Sequence, residues 1–224
     1  MAANEVDVLA LDHNACTMRH MSTDSAVAPP FEVAQMISRE EMNDLPVRRY
    51  DGSVHLLATP SDFERAMQDL RRESVIGFDT ETRPAFRRGE SYLPSLVQLA
   101  TADAVYLVQV QQGDYSDAMR EIFSSQNMIK VGVSVRDDLR NLKNLFEFEE
   151  NAIVDLGKVA KRHGLKQTGV RNLAGIFLGM RIPKGAKTTN WAARRLTLQQ
   201  ITYAATDAWA CRELYLRFRQ LNLV

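Results

Sequence analysis

The sequence has few of the features that mark secreted, zinc-binding or membrane proteins. Only two of its 224 residues are cysteine, Cys16 and Cys211. Their wide separation excludes the close spacing of a cysteine metal site, and it offers no disulfide framework. No basic segment precedes the short apolar stretch after Met1, and no apolar run has the length of a membrane span. These absences predict a soluble, cytoplasmic protein without a membrane partner.

An excess of charge of either sign is also missing. Lysine plus arginine and aspartate plus glutamate each number 28, so the formal net charge is zero. Without a global positive field, a nucleic-acid ligand would have to be held by local basic patches and by metal ions. The hydrophobic content of 45% and the charged content of 25% are typical of a globular domain.

The N-terminal region differs from the rest of the chain. Residues 1–30 show no sustained hydrophobic period and end in Pro29-Pro30, which predicts a disordered tail. Residues 31–53 are expected to form an N-terminal extension with one short helix, since Ser38 and Glu41 have the capping-box spacing. The folded domain is expected over residues 54–224.

Hydrophobic patterns predict an α/β fold with a mixed sheet of five or six strands, flanked by helices, and a helical C-terminal half. The connection Ala102-Asp103 is too short for anything but a hairpin, so the strands around it form an antiparallel meander. A strand–helix–strand crossover then makes the next pairing parallel. The predicted strands lie near residues 54–58, 75–78, 95–101, 104–110, 128–135 and 153–154, and the last helix spans residues 196–221.

Two carboxylates end the most apolar of these strands. In Phe78-Asp79-Thr80-Glu81-Thr82, side chains two apart point to the same face, so Asp79 and Glu81 converge while Thr80 turns away. Two hard oxygen ligands on one rigid strand suit Mg²⁺ or Mn²⁺. A strand end that simply meets solvent is the alternative interpretation.

Further acids occur at two later helices. Asp137-Asp138 lies at a strand-to-helix junction, where either residue could cap the helix or contribute to a ligand site at the end of the strand. Tyr203 and Asp207 lie four apart, on one face of the last helix. The alanines around Asp207 would let this helix approach the sheet closely.

In this order, these motifs resemble the DEDD superfamily of 3′–5′ exonucleases, in the tyrosine-bearing branch that includes ribonuclease D and the exonuclease domain of the Werner syndrome helicase. The resemblance extends from about residue 54 to residue 220. It rests on three groups of residues: Phe78 to Thr82 with Pro94 to Ala100; Lys130 to Val133 with Asp138-Leu139; and Asn190-Trp191 with Leu196-Thr197 and Tyr203 to Ala208.

The resemblance implies a ribonuclease H-like fold and a metal-dependent 3′–5′ exonuclease that releases nucleoside 5′-monophosphates. It assigns two divalent ions, Mg²⁺ or Mn²⁺, to four acids, with Tyr203 positioning the attacking water. The sister branch carries a histidine where this chain has Thr202, so the tyrosine branch is indicated. The Asp-Leu step favours Asp138 over Asp137 as the third acid. The four acids are Asp79, Glu81, Asp138 and Asp207.

The expected partner is the 3′ end of a nucleic acid, single-stranded or overhanging. Residues 1–50 are a candidate for additional grip on a long strand. The predicted substrate-binding residues are Thr80, Gln98, Arg87, Arg88, Lys187 and Trp191. The two arginines could instead be exposed to solvent without contacting substrate, and Trp191 could instead pack its loop against the domain.

Two other functions remain open from the sequence. A catalytically silent nucleic-acid-binding or scaffold protein could keep the same fold, and a small-molecule phosphoesterase could keep the same metal site. The choice between RNA and DNA also stays open, because recognition of the 2′-hydroxyl depends on the shape of the groove.

Overall fold

The computed structural model describes residues 34–57, 59–186 and 188–224. The expected tail at residues 1–30 lies outside the described residues, as does Lys187. The strands are β1 Ser53–Leu57, β2 Val75–Thr82, β3 Pro94–Ala100, β4 Ala104–Gln109, β5 Ile129–Gly132 and β6 Ile153–Asp155. The helices are α1 Arg39–Asp44, α2 Pro60–Leu70, α3 Ser116–Ser124, α4 Arg136–Lys143, α5 Leu156–Arg162, α6 Val170–Leu178 and α7 Leu198–Gln220.

The six strands form one mixed sheet in the order β1-β4-β3-β2-β5-β6. β2, β3 and β4 pair in antiparallel fashion, which confirms the predicted meander. β5 pairs parallel to β2, as the crossover through α3 requires. At the two edges of the sheet, β1 pairs parallel to β4 and β6 pairs parallel to β5. The predicted α/β class with a helical C-terminal half is therefore confirmed.

The predicted capping box at Ser38 is confirmed, whereas the last helix begins at Leu198, two residues later than predicted, because Thr197 caps it. Ser38, Thr59 and Thr197 each form a capping box, and the Asp155 carboxylate accepts hydrogen bonds from the first turn of α5. The start of α4 differs from the prediction. Its N-cap is Val135, so Asp137 and Asp138 lie in the first turn and neither is the capping residue.

β5 is shorter than the apolar pattern predicts, because the backbone turns just after Gly132. Ser134 has a φ of 62°, a left-handed conformation that ends the strand. Its backbone N–H donates to the Asp155 carboxylate at 2.9 Å. The turn sets the start of α4 near the carboxyl end of β2.

The two faces of β2 are covered by different helices. Ile76 and Phe78 point into a core shared with α2, α3 and α4. The opposite face meets α7, which lies very close to the strand at Gly77. A Cβ at Gly77 would lie 2.1 Å from the backbone oxygen of Ala208, so only glycine lets the helix and the strand lie this close.

The N-terminal extension, from residue 34 to residue 52, packs against the helical half of the domain. Arg48 N–H donates to the Arg181 carbonyl at 3.0 Å, and Arg181 N–H donates to the Pro46 carbonyl at 2.9 Å. Tyr50 N–H donates to the Thr206 hydroxyl at 3.1 Å, and its ring lies 5.9 Å from that of Trp209. These contacts tie the extension to α7.

Among the helices of the described residues, none combines the length and the apolar composition needed to cross a bilayer.

Lys130 is a buried cation within β5, and it supplies a pH-dependent element of stability. Its side chain is 0% exposed, and its ammonium donates to the carbonyls of Ser125 and Met128 at 2.6 and 2.8 Å. Burial lowers the pKa of Lys130 from 10.5 to about 8. The amine of the folded protein therefore loses its proton at a lower pH than that of the unfolded chain.

We expect the free energy of unfolding of the wild type to rise relative to that of Lys130→Met between pH 8 and pH 10.5. Over this window the unfolded chain binds more protons than the folded one, so stability rises with pH, by up to about 3 kcal/mol. Paired urea titrations at several pH values measure the difference. A difference that is constant with pH would contradict the prediction.

Candidate active site

Three carboxylates converge where β2 passes beneath α7. Asp79 and Glu81 come from β2, and Asp207 comes from α7. Each contributes one oxygen, and these oxygens lie within 4.8 Å of one another. The two-residue spacing on the strand brings Asp79 and Glu81 to the face that α7 covers, and the glycine at position 77 lets the helix come close enough to add Asp207.

The donor set of this cluster fits a hard divalent cation. Glu81 is 8% exposed and Asp207 is 5% exposed, so little water screens their charges from each other. Carboxylates gathered in a low-dielectric site repel one another unless protons or a cation compensate them. Oxygen-only ligands of this kind suit Mg²⁺ or Mn²⁺.

Asp138, the fourth predicted acid, lies beside the cluster and is not one of its three members. Its carboxylate accepts a hydrogen bond from the Thr80 hydroxyl at 2.5 Å, while Thr80 N–H donates to Asp79 at 2.9 Å. Thr80 thus turns away from the cluster, as predicted, and joins two of the acids. Burial raises the pKa of Asp138, and the hydrogen bond from Thr80 partly offsets this.

Asp137 has a different environment from its neighbour. Its side chain is exposed and pairs with Arg140 at 3.0 Å, one turn along α4. This geometry favours Asp138 over Asp137 as the acid that faces the site.

Tyr203 lies one turn before Asp207 on α7 and is hydrogen-bonded to it. Burial raises the pKa of the Tyr203 phenol, and the charges of Asp207 and Glu81 raise it further. The phenol therefore keeps its proton at neutral pH and can donate a hydrogen bond. Gly185 packs directly on this ring, since a Cβ there would lie 2.1 Å from the tyrosine Cδ2.

Two predicted substrate contacts, Gln98 and Trp191, are fully buried. Gln98 lies directly opposite Asp79 in the β2–β3 register, and its amide makes no hydrogen bond to any described residue. The Trp191 ring lies 6.0 Å from that of Tyr203. Trp191 packs in one apolar cluster with alanines of α7, which fits the packing role that the sequence left open for it.

Arg87 and Arg88 lie in the exposed loop that follows β2, as predicted from the sequence. Phe86, beside them, is 83% exposed. In the same loop, the Arg83 guanidinium stacks over the Tyr92 ring, 4.9 Å from its centroid. The loop that follows the carboxylate-bearing strand therefore presents an exposed aromatic ring and several cations. The placement of Lys187 lies outside the described residues.

Several residues outside the predicted set also lie at the site. Gly77 could have been found, because a lone glycine inside a strand often marks a close backbone approach. Cys211 is buried one turn after Asp207. Burial raises the pKa of the Cys211 thiol, and the nearby charges of Asp79 and Asp207 raise it further. Gly185 carries no sequence signal of its contact with Tyr203.

Comparison with known proteins agrees with this geometry. A family model described as 3′–5′ exonuclease matches residues 54–221. The exonuclease mut-7 homolog of Aedes aegypti is 30% identical over 195 residues, covering 75% of this chain and 27% of that protein. Ribonuclease D of Gluconacetobacter diazotrophicus is 32% identical over 164 residues, covering 71% of this chain and 41% of that protein. The chain thus spans less than half the length of these two relatives.

A solved structure agrees as well. The Nibbler EXO domain of Aedes aegypti superposes with a TM-score of 0.69 at 26% sequence identity, covering 79% of this chain and 91% of that domain. This agreement confirms the expected ribonuclease H-like fold. Because the family model extends over well more than half of the sequence, the chain belongs to the 3′–5′ exonuclease family.

Proposed function

We propose that this protein is a metal-dependent exonuclease that removes nucleotides from the 3′ end of nucleic acid and releases nucleoside 5′-monophosphates. The convergence of Asp79, Glu81 and Asp207 beside Tyr203 carries the proposal. Phosphodiester hydrolysis needs compensation of negative charge at both the attacking and the leaving oxygen, and a cluster of hard oxygen ligands is suited to hold the cations that provide it.

Two divalent ions, Mg²⁺ or Mn²⁺, fit the proposed roles of the four acids. Asp79 would contribute to both metal sites. Glu81 and Asp207 would complete the first metal site, and Asp138 would hold the ion of the second. Bound cations would lower the pKa of a coordinated water molecule and would stabilise negative charge on the departing 3′ oxygen. Thr80 supports this division, because it contacts Asp138 and the Asp79 carboxylate at once.

Tyr203 would orient the attacking water by hydrogen bonding. The raised pKa of its phenol makes it a poor proton acceptor at neutral pH, so a positioning role fits better than a general-base role. Its close contact with Gly185 restricts the orientation of the ring.

The loop after β2 is proposed to receive the strand. The exposed ring of Phe86 offers a stacking surface for a base, and Arg87 and Arg88 offer charges for phosphates. This combination suits an unpaired 3′ end better than a blunt duplex, because a base must be unstacked to meet the ring. The ribonuclease name of one relative makes RNA the first substrate to test.

The purified protein should shorten 5′-labelled oligonucleotides from the 3′ end in Mg²⁺ or Mn²⁺, and it should release mononucleotides. Matched RNA, DNA and overhanging duplexes, resolved on sequencing gels, decide the substrate. Asp207→Asn should stop the reaction, because it removes one charge from the cluster while keeping the shape of the side chain. Intact oligonucleotides with the wild type, despite normal metal binding, would contradict the proposal and would favour a silent nucleic-acid-binding protein.

A further inference from the structure

A cavity of about 300 Å³ is lined by Tyr203, which is hydrogen-bonded to Asp207 of the carboxylate cluster, but it contains none of the four acids. Three segments enclose it: Arg49 of the N-terminal extension, the stretch from Ile182 to Gly185, and the first turns of α7. Its volume is at the lower end of the range for small-ligand sites. The cavity is therefore separate from the cluster, and the two share a wall.

The lining of this cavity combines apolar surface with positive charge. Ile182, Pro183 and Leu198 form apolar walls, and Leu198 is 79% exposed. Arg49 and Lys184 contribute cations, and none of the described lining residues is acidic. Apolar walls suit a planar base, whereas cations suit a phosphate.

Hydrogen-bonding groups complete the lining. Gln199 and Thr202 contribute an amide and a hydroxyl from the first turns of α7. Such groups can pair with the polar edge of a base. Apolar walls, cations and polar groups together match the chemistry of a nucleotide better than that of an apolar peptide or a lipid.

Arg49 is held in this position from both sides. The preceding residue, Arg48, is bonded through its backbone to Arg181 at 3.0 Å, and the following residue, Tyr50, is bonded through its backbone to Thr206 at 3.1 Å. The side chain of Arg49 is exposed and hence accessible to a ligand. It also lies outside residues 54–221, the part of the chain that the family model matches.

We propose that this cavity binds a nucleotide of the substrate strand upstream of the one being released, with Arg49 contacting its phosphate. The inference rests on the proposed exonuclease function and deepens it. The shared wall at Tyr203 favours a unit of the same strand over a free nucleotide, because a ligand here would be adjacent to the 3′ nucleotide at the cluster.

The test compares Arg49→Gln with Arg48→Gln, which removes the same charge one residue away from the cavity. Substrates are 5′-labelled single-stranded oligonucleotides of increasing length and the p-nitrophenyl ester of thymidine 5′-monophosphate, which occupies only the cleavage position. Arg49→Gln should lower kcat/KM about tenfold, through KM, on oligonucleotides long enough to reach the cavity. Arg48→Gln should change it less than about twofold.

Three results would overturn the inference. These are an equal loss for Arg48→Gln, an equal loss on the nitrophenyl ester, or no loss at any length. Gln199→Ala is a second cavity variant, and it should show the same dependence on length. Unfolding midpoints of all variants should match that of the wild type.

Failure of the proposed function would be distinguishable from failure of this inference. If the wild type cleaves nothing, fluorescence anisotropy of a labelled oligonucleotide in EDTA still compares Arg49→Gln with Arg48→Gln. Weaker binding by the Arg49 variant alone supports the cavity, and equal binding by both overturns it.

Discussion

Asp79→Asn should lower exonuclease turnover by on the order of 10³-fold or more while the protein remains folded. Asp79 is proposed to contact both cations, so removing its charge weakens the whole site. Asparagine keeps the side-chain oxygen that accepts the Thr80 N–H bond of 2.9 Å. It also relieves repulsion among the clustered carboxylates, so no loss of stability is expected without metal. Single-turnover kinetics on a labelled oligonucleotide, with thermal unfolding in EDTA, give both quantities.

Asp138→Asn is the matched comparison, because this acid lies beside the cluster and not within it. Calorimetric titration with Mn²⁺ should show loss of the tight site in Asp79→Asn. The same titration of Asp138→Asn should keep one site and weaken the second, since the three-carboxylate cluster is intact. Equal titration curves for the two variants would contradict the proposed division of roles.

Gly77→Ala should destabilise the fold and disrupt the site together. The added methyl carbon would lie 2.1 Å from the backbone oxygen of Ala208 and 2.8 Å from the backbone nitrogen of Arg212. Neither is the flexible end of a side chain, so β2 and α7 must move apart. We expect a loss of about 3 kcal/mol in the free energy of unfolding. We also expect weaker Mn²⁺ binding, because Asp207 would then move away from Asp79 and Glu81.

Gly169→Ala is the control for this prediction. Gly169 has a φ of −77°, which any residue can adopt, and no heavy atom lies within 4 Å of the added carbon. Its effect should stay within about 1 kcal/mol, because loss of the helix-capping preference and reduced unfolded-state entropy act in opposite directions. Urea unfolding and Mn²⁺ titration of both variants decide the outcome. A Gly77 variant as stable as the control would show that the close approach is unimportant.

The order of elements could be predicted because it rests on local signals. Ser38, Thr59 and Thr197 each directly precede a helix, and each forms a capping box with the residue three positions further along. The short Ala102-Asp103 connection leaves only a hairpin, and the meander follows from it. The end of β5 could not be predicted in this way. It depends on a bond between Ser134 and Asp155, which lie far apart in the sequence.

In the candidate site, too, the features set by local spacing could be predicted, whereas those set by packing could not. Spacing alone predicts that Asp79 and Glu81 share a face, because the period of a strand is two. Spacing likewise places Tyr203 next to Asp207 on a helix. The sequence does not say that Gln98 and Trp191 are closed off from the groove. Their burial follows from the packing of α7 and the loop before it against the sheet.

The sequence by itself thus predicted the fold class, the family motifs and the candidate acids, since each is carried by short motifs and local hydrophobic patterns. Tertiary structure decided that Asp138 lies outside the three-carboxylate cluster, that Thr80 contacts both Asp138 and Asp79, and that Arg49 and Tyr203 line one cavity. These contacts depend on how closely α7 approaches β2 and on where the N-terminal extension packs. Both are set by long-range packing, of which the sequence shows only local signs such as Gly77 and the alanines of α7.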